Sequence, residues 1–118
     1  MTVPRAETLA AALVGRPVHM YLGLEVRVVR IEGAEVVVAN ARGGECARVA
    51  LADIQAGLDQ LEAEGEVAVT LSALGPGAAY VAAMLAEVEG AGFGDRRATY
   101  DERGGQVRRG CATISWAG

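Results

Sequence analysis

The chain has 118 residues, 52% of them hydrophobic and 22% charged, which places it among globular proteins and apart from disordered ones. Aromatic residues are only 4%, so the core must be built from Val, Leu, Ile and Ala. The formal charge is −4, which argues against a whole-surface attraction to nucleic acid but leaves room for a local basic patch. One domain spanning 1–118 is expected at this length.

In chain order, Ala6 to Val14 reads as a short helix, with Leu9 and Leu13 on one face and Gly15 as its stop. His19 to Leu22 reads as a strand closed by Gly23. Glu25–Ile31 and Ala34–Ala39 are valine-rich and predict a hairpin turning at Glu32-Gly33. Val26 and Val28 share one phase, Val29 and Ile31 the other, so a bulge or two-sided burial is expected there. Arg42 to Glu45 reads as a turn, and Ala47 to Leu51 as a returning strand.

Residues 52–64 carry the clearest helix, with Leu51, Ile54, Leu58 and Leu61 in one stripe and Gly65 as the stop. Val67 to Leu71 alternates as a short strand broken by Gly75-Pro76-Gly77. Residues 78–89 predict a further helix with Val81, Met84, Leu85 and Val88 on one face. Glycines 92, 94, 104 and 105 predict loop. Ala112, Ile114 and Trp116 alternate as a last strand with one buried face. The fold class expected is α+β: a small, mostly antiparallel sheet of four or five strands, two main helices and a short N-terminal helix.

The candidate chemistry is sparse. Cys46 and Cys111 are the only thiols and His19 the only imidazole. They read as two reduced, buried cysteines; a metal site would have to recruit His19, and neither CxxC nor HxxxH spacing is present. Gly75-Pro76-Gly77 opens a helix, where a phosphate could sit, but Tyr80 replaces the third glycine of a dinucleotide fingerprint, so a strand-to-helix turn is expected. No cofactor is expected. Paired carboxylates Glu62/Glu64 and Glu87/Glu89 read as solvated helix faces.

Charge is segregated along the chain. Residues 51–90 hold seven acids and no base, whereas residues 91–118 hold five arginines against three acids. Arg96-Arg97 and Arg108-Arg109, with Arg103 between, could hold phosphates as bidentate forks, and Asp95, Asp101 and Glu102 could equally pair them off.

The stretch from Arg42 to Val88 resembles a small accessory domain found alongside nucleases of bacterial restriction and defence systems. That domain shows a valine-rich hairpin, a Ser-Gly turn followed by Arg, a Leu-rich helix and a Ser-Tyr-Val-x-Ala-Leu-Leu helix. This chain offers Arg42-Gly43-Gly44, Arg48, Ile54 to Leu61 and Tyr80-Val81-Ala82-Ala83-Met84-Leu85, with Ala79 where the family has serine. The resemblance implies a winged-helix-like bacterial module that handles nucleic acid or a partner protein without chemistry of its own.

Three functions are thus expected in order. The first is a non-catalytic binding module contacting nucleic acid through Arg96, Arg97, Arg103, Arg108 and Arg109. The second is a self-associating or partner-binding protein using its acidic 51–90 half, as a homo-oligomer or with another chain. The third is a small enzyme using Cys46 or Cys111. No stretch has the length of a membrane span or the features of a secretory leader, so a soluble cytoplasmic protein is expected.

Overall fold

The computed structural model describes residues 2–96, 99–108 and 110–117. Its elements run α1 (Ala6–Leu13), β1 (Pro17–His19), β2 (Glu25–Glu32), β3 (Glu35–Asn40), β4 (Glu45–Ala50) and α2 (Leu51–Glu64). There follow β5 (Glu66–Ala68), α3 (Leu71–Leu74), α4 (Ala78–Leu85), β6 (Ala91–Arg96), β7 (Thr99–Tyr100), β8 (Gln106–Arg108) and β9 (Cys111–Trp116). The fold is α+β, as the sequence predicts. Its first sheet is a four-stranded antiparallel meander, β1-β2-β3-β4. A second sheet, β5-β9-β6, and a two-stranded ribbon, β7-β8, go beyond the single sheet expected.

The expected bulge is real: pairing between β2 and β3 shifts register between Val28 and Arg30. The chain leaving α1 docks there, where Gly15 N donates to the Val28 carbonyl at 2.7 Å. The hairpin loop is Gly33-Ala34, one residue beyond the expected turn, because Glu32 still pairs with Glu35. Gly33 takes the positive φ of 61° that the tight reversal needs.

β3 is buried on both faces. Val36 and Val38 join the main core, while Val37 and Ala39 point the other way and are equally inaccessible. Val37 lies in register between Arg30 and Arg48. Glu32 accepts from Arg30 Nε at 2.8 Å and from Arg48 Nη1 at 3.3 Å, and Arg30 Nη1 also reaches Glu45 Oε1 at 2.6 Å. Arg30 and Arg48 thus flank Val37 on the neighbouring strands, and bridged arginines cover apolar surface with their aliphatic stems. The same bridges hold the Glu32 carboxyl below its usual range, Arg30 contributing most and Arg48 next.

The main core lies between the first sheet, the helices and the second sheet. Ile54, Leu58 and Leu61 of α2 are fully buried, as are Val81, Met84 and Leu85 of α4. Gly65 ends α2 in the left-handed region with φ 74°, its N–H returning to the Leu61 carbonyl. The N-terminus of α1 has no side-chain cap of its own; Gln55 of α2 supplies one, accepting from Ala6 N at 2.9 Å.

Four local expectations change. Residues 20–23 form a turn and the strand is Pro17–His19, because Met20 N bonds the Leu24 carbonyl and Gly23 takes φ 90°. Leu71 starts α3 instead of ending a strand, because Thr70 Oγ1 accepts from Ala73 N at 3.2 Å and caps a single turn. Helix α4 stops at Leu85, and its apolar stripe reaches Val88 through tighter bonds from Glu87 N to Met84 O and Val88 N to Leu85 O. Most of the glycine-rich stretch expected as loop is strand: β6 pairs with β9 without interruption from Ala91↔Trp116 to Arg96↔Cys111.

Two substitutions check this packing in urea melts. Leu58→Ala should cost roughly 2–5 kcal/mol, since the side chain is wholly enclosed. Gly57→Val should cost roughly 1–3 kcal/mol by overpacking, because a Cβ there already falls 2.8 Å from Leu85 Cδ1 and 2.9 Å from Leu74 Cδ2.

Candidate functional site

Among the described residues, the segment joining β1 to β2 carries the most exposed large apolar side chain. Met20-Tyr21-Leu22-Gly23-Leu24 turns sharply, with Gly23 N bonded to Met20 O at 2.8 Å. Turns normally carry polar residues that can bond water or their own backbone. Here Leu22 is 90% exposed and Leu24 65% exposed. Burying one leucine fully is worth about 1.5–3 kcal/mol, and the isolated chain forgoes most of that at both positions.

The turn is held against the second sheet. The Tyr21 ring meets Phe93 of β6 with centroids 5.6 Å apart, tilted by 56°. Its hydroxyl donates a hydrogen bond to the Asp95 carboxylate, two residues along the same face of β6. That bond, then partial loss of water, then the Asp95 charge raise the Tyr21 hydroxyl above the ordinary phenol value. Outside the turn, His19 Nε2 and Glu25 Oε1 stand 3.8 Å apart across the flanking strand ends.

Between turn, sheet and helix lies a cleft of about 340 Å³. The turn forms its rim through Tyr21, Leu22 and Leu24, with Phe93 beside them, and Ala79 and Ala82 come from α4. Val69 and Ala112, tied by a 2.9 Å backbone hydrogen bond, complete the lining from the second sheet. The space exists because alanines stand at 79, 82 and 112. Every lining residue is apolar apart from the Tyr21 hydroxyl, which is already engaged by Asp95. The cleft can therefore accept an apolar group and offers nothing to orient a polar one.

The sequence-predicted arginines lie elsewhere. Arg96 ends β6, paired by backbone with Cys111, and Arg108 lies in β8 opposite Thr99. Arg103 is exposed at the ribbon tip, where Asp101 Oδ1 accepts from the N–H of Arg103 and of Gly105. Arg97 and Arg109 fall outside the described residues. The backbone thus places Arg103 and Arg108 on the two-stranded ribbon, which also carries Tyr100, 63% exposed, while Arg96 belongs to the second sheet.

The thiols and the imidazole are not assembled. His19 is on β1 and Cys46 on β4, the two opposite edges of the first sheet, three interstrand steps of about 4.8 Å apart. Cys111 sits in the second sheet. Both cysteines are free, and Cys46 is exposed where burial is expected, because a register shift in edge strand β4 leaves it between the paired Glu45 and Ala47. Its sulfur hydrogen-bonds Tyr80; burial first, and the Cys46 sulfur second, raise the Tyr80 hydroxyl. Among the described residues no three His, Cys, Asp or Glu side chains gather as a metal set, and no helix is long and apolar enough to cross a membrane.

The glycine turn before α4 is a packing device. A Cβ at Gly75 would fall 2.5 Å from Asp53 Oδ2, and one at Gly77 would fall 2.5 Å from Val49 Cγ1. A carboxylate against Gly75 is unfavourable for a phosphate there. The residues that make the apolar cleft were not singled out by sequence reasoning; the available signal was three large apolar side chains packed around Gly23 in a turn.

Fold and site together define a small α+β domain with an apolar surface cleft and a projecting arginine-bearing ribbon. The chain matches no protein-family model, no curated protein and no solved structure.

The tyrosine contact has a pH signature. The Tyr21 hydroxyl is raised in the fold, so its contribution to stability is present below the unfolded phenol value of about 10 and is lost as pH rises through the higher folded value. Tyrosinate absorbance, taken as the difference between wild type and Tyr21→Phe, should titrate above the ordinary value. In Asp95→Ala the Tyr21 titration should return towards it.

Proposed function

We propose that this chain is an interaction module, without chemistry of its own, that docks an apolar side chain of a partner in the cleft between Leu22, Phe93 and α4. The observation that carries the reading is a wholly apolar cleft beside two leucines left in water. Exposed apolar patches rimmed by polar surface mark interaction sites in globular proteins. The cleft supports the partner-binding expectation, with Val69, Ala79 and Ala82 of the 51–90 segment in its lining and none of that segment's acids.

A hydrophobic dye such as anilinonaphthalene sulfonate should bind the folded chain at high dilution and be displaced by a capped leucine peptide. Ala79→Trp fills the cleft from an exposed position and should weaken dye binding by about tenfold or more, the effect of some 1.4 kcal/mol. Unchanged dye binding in Ala79→Trp would remove the cleft as the docking site.

A second reading rests on the ribbon. An exposed Tyr100 on the ribbon whose tip carries exposed Arg103 suits a base stacked on the ring with a phosphate on a guanidinium group. This is the nucleic-acid function that the arginine pairs and the resemblance to nuclease-associated domains lead one to expect. On a DNA duplex, Arg108→Ala with Arg109→Ala should then reduce the log-log salt slope of binding by about two. A salt slope unaffected by the double substitution would exclude the ribbon.

A further inference from the structure

A second concavity, of about 360 Å³, shares no lining residue with the apolar cleft. Four parts of the chain meet there: residues 2–4, helix α1, the turn that follows α4, and the last residue of β9. Its floor is apolar, since Leu9 and Val88 are both buried members of the core. Trp116, the chain's single tryptophan, also lines it. The indole is fixed in place: Nε1 donates to the Glu89 carbonyl at 3.1 Å, and the Trp116 backbone N–H donates to the Gly65 carbonyl at 2.9 Å. With its one polar atom engaged, the indole offers a ligand only its π surface.

The charge around this pocket has one sign. Glu87 and Glu89 belong to the lining, and both are exposed. Expected on a solvated helix face, they instead follow the end of α4 at Leu85. The carbonyl end of a helix carries partial negative charge and favours cations nearby. Yet the last turn of α4 holds no basic residue, and the next charged residues are these two acids. Among the described residues no arginine or histidine pairs with either carboxylate. Arg5, beside the lining residue Pro4, is paired with Glu7 at 3.7 Å.

We propose that this pocket binds a small organic cation of the alkylammonium class, with its charged head at Glu87 and Glu89 and its short aliphatic body against Trp116, Leu9 and Val88. The site is separate from the docking cleft and does not rest on that reading. Its chemistry selects in three ways. The carboxylates and the helix end repel an anion. A hydrated inorganic ion gains nothing from the apolar floor, and a neutral hydrocarbon gains nothing from the carboxylates. A molecule with both a positive head and an apolar body uses the whole lining, and the indole quadrupole adds to the attraction for the head. The volume falls in the range of pockets that enclose small ligands, about 300–1,000 Å³.

The single tryptophan supplies the measurement. The full chain is titrated with n-butylammonium chloride while Trp116 fluorescence is followed, ionic strength being held constant with sodium chloride. The expected result is a saturable change in emission. Butan-1-ol, which carries the same aliphatic body without the charge, should give a much weaker response. Glu87→Gln with Glu89→Gln should raise the dissociation constant by about tenfold, the loss of two exposed charge contacts. Both side chains are exposed and the indole bond goes to the Glu89 backbone, so emission of the free variant should match wild type. Ala12→Leu keeps both carboxylates, suits a helix and fills the pocket from an exposed position, and it should weaken binding to a similar degree.

No saturable change with n-butylammonium would overturn the site. An equal response to butan-1-ol, or binding that survives the double glutamine substitution, would overturn the cation and leave an apolar pocket. Binding unchanged in Ala12→Leu would overturn the pocket in favour of surface charge alone.

Discussion

Helix α2 approaches α3 and α4 so closely that position 57 has room for a hydrogen and little more. A glycine inside a helix costs about 1 kcal/mol relative to alanine, and here the close approach offsets that cost. Through it Leu58 and Leu61 reach the layer formed by Leu74, Met84 and Leu85. Two further close approaches add to it: Gly75 against Asp53 of α2 and Gly77 against Val49 of β4. Together they fix where α4 begins and how it lies. The cleft inherits its lining from that placement, since Ala79 and Ala82 are α4 residues and the turn bearing Leu22 stands opposite them.

How much of this was legible in the sequence follows from the range of the interactions. The stripe of Ile54, Leu58 and Leu61, the stops at Gly15 and Gly65 and the valine hairpin are local patterns, and each corresponds to an observed element. Even the bulge after Val28 was readable, as a change of apolar phase. β6 was not, because its pairing with β9 joins residues some twenty apart and its Gly92 and Gly94 contribute no side-chain alternation. Gly94 has a packing reason instead: a Cβ there would fall 3.2 Å from Thr113 Oγ1. Leu71 continued the alternation of Val67 and Val69, yet a hydroxyl cap from Thr70 turned the chain into α3 and left that leucine in water.

The candidate site was less legible than the fold for a related reason. The arginine pairs are conspicuous in sequence, yet whether side chains converge depends on which residues share a face of the ribbon. The cleft has no charged or nucleophilic residue to attract notice. Its lining is drawn from five separate places in the chain, and its only local trace, the apolar run around Gly23, reads equally well as a strand.

The two faces of the molecule treat exposed apolar surface in opposite ways. On the outer face of the first sheet, the buried Val37 is flanked in register by Arg30 and Arg48, which Glu32 bridges. This chain thus has the means to shield an apolar row where no helix is available. Around the β1–β2 turn it uses none of them: no arginine or glutamate lines the cleft, and Leu22 stands 90% in water. The polar contact of Tyr21 with Asp95 does not cover the leucines; it anchors the turn that presents them. An exposed side chain on a loose loop could fold back or spread its exposure over many conformers. Pinned by the ring contact with Phe93 and by the Asp95 bond, these leucines are presented in one place, and less ordering entropy is then lost when a partner covers them. Pre-organisation of the turn, rather than its hydrophobicity alone, is what distinguishes it from an incidental apolar surface.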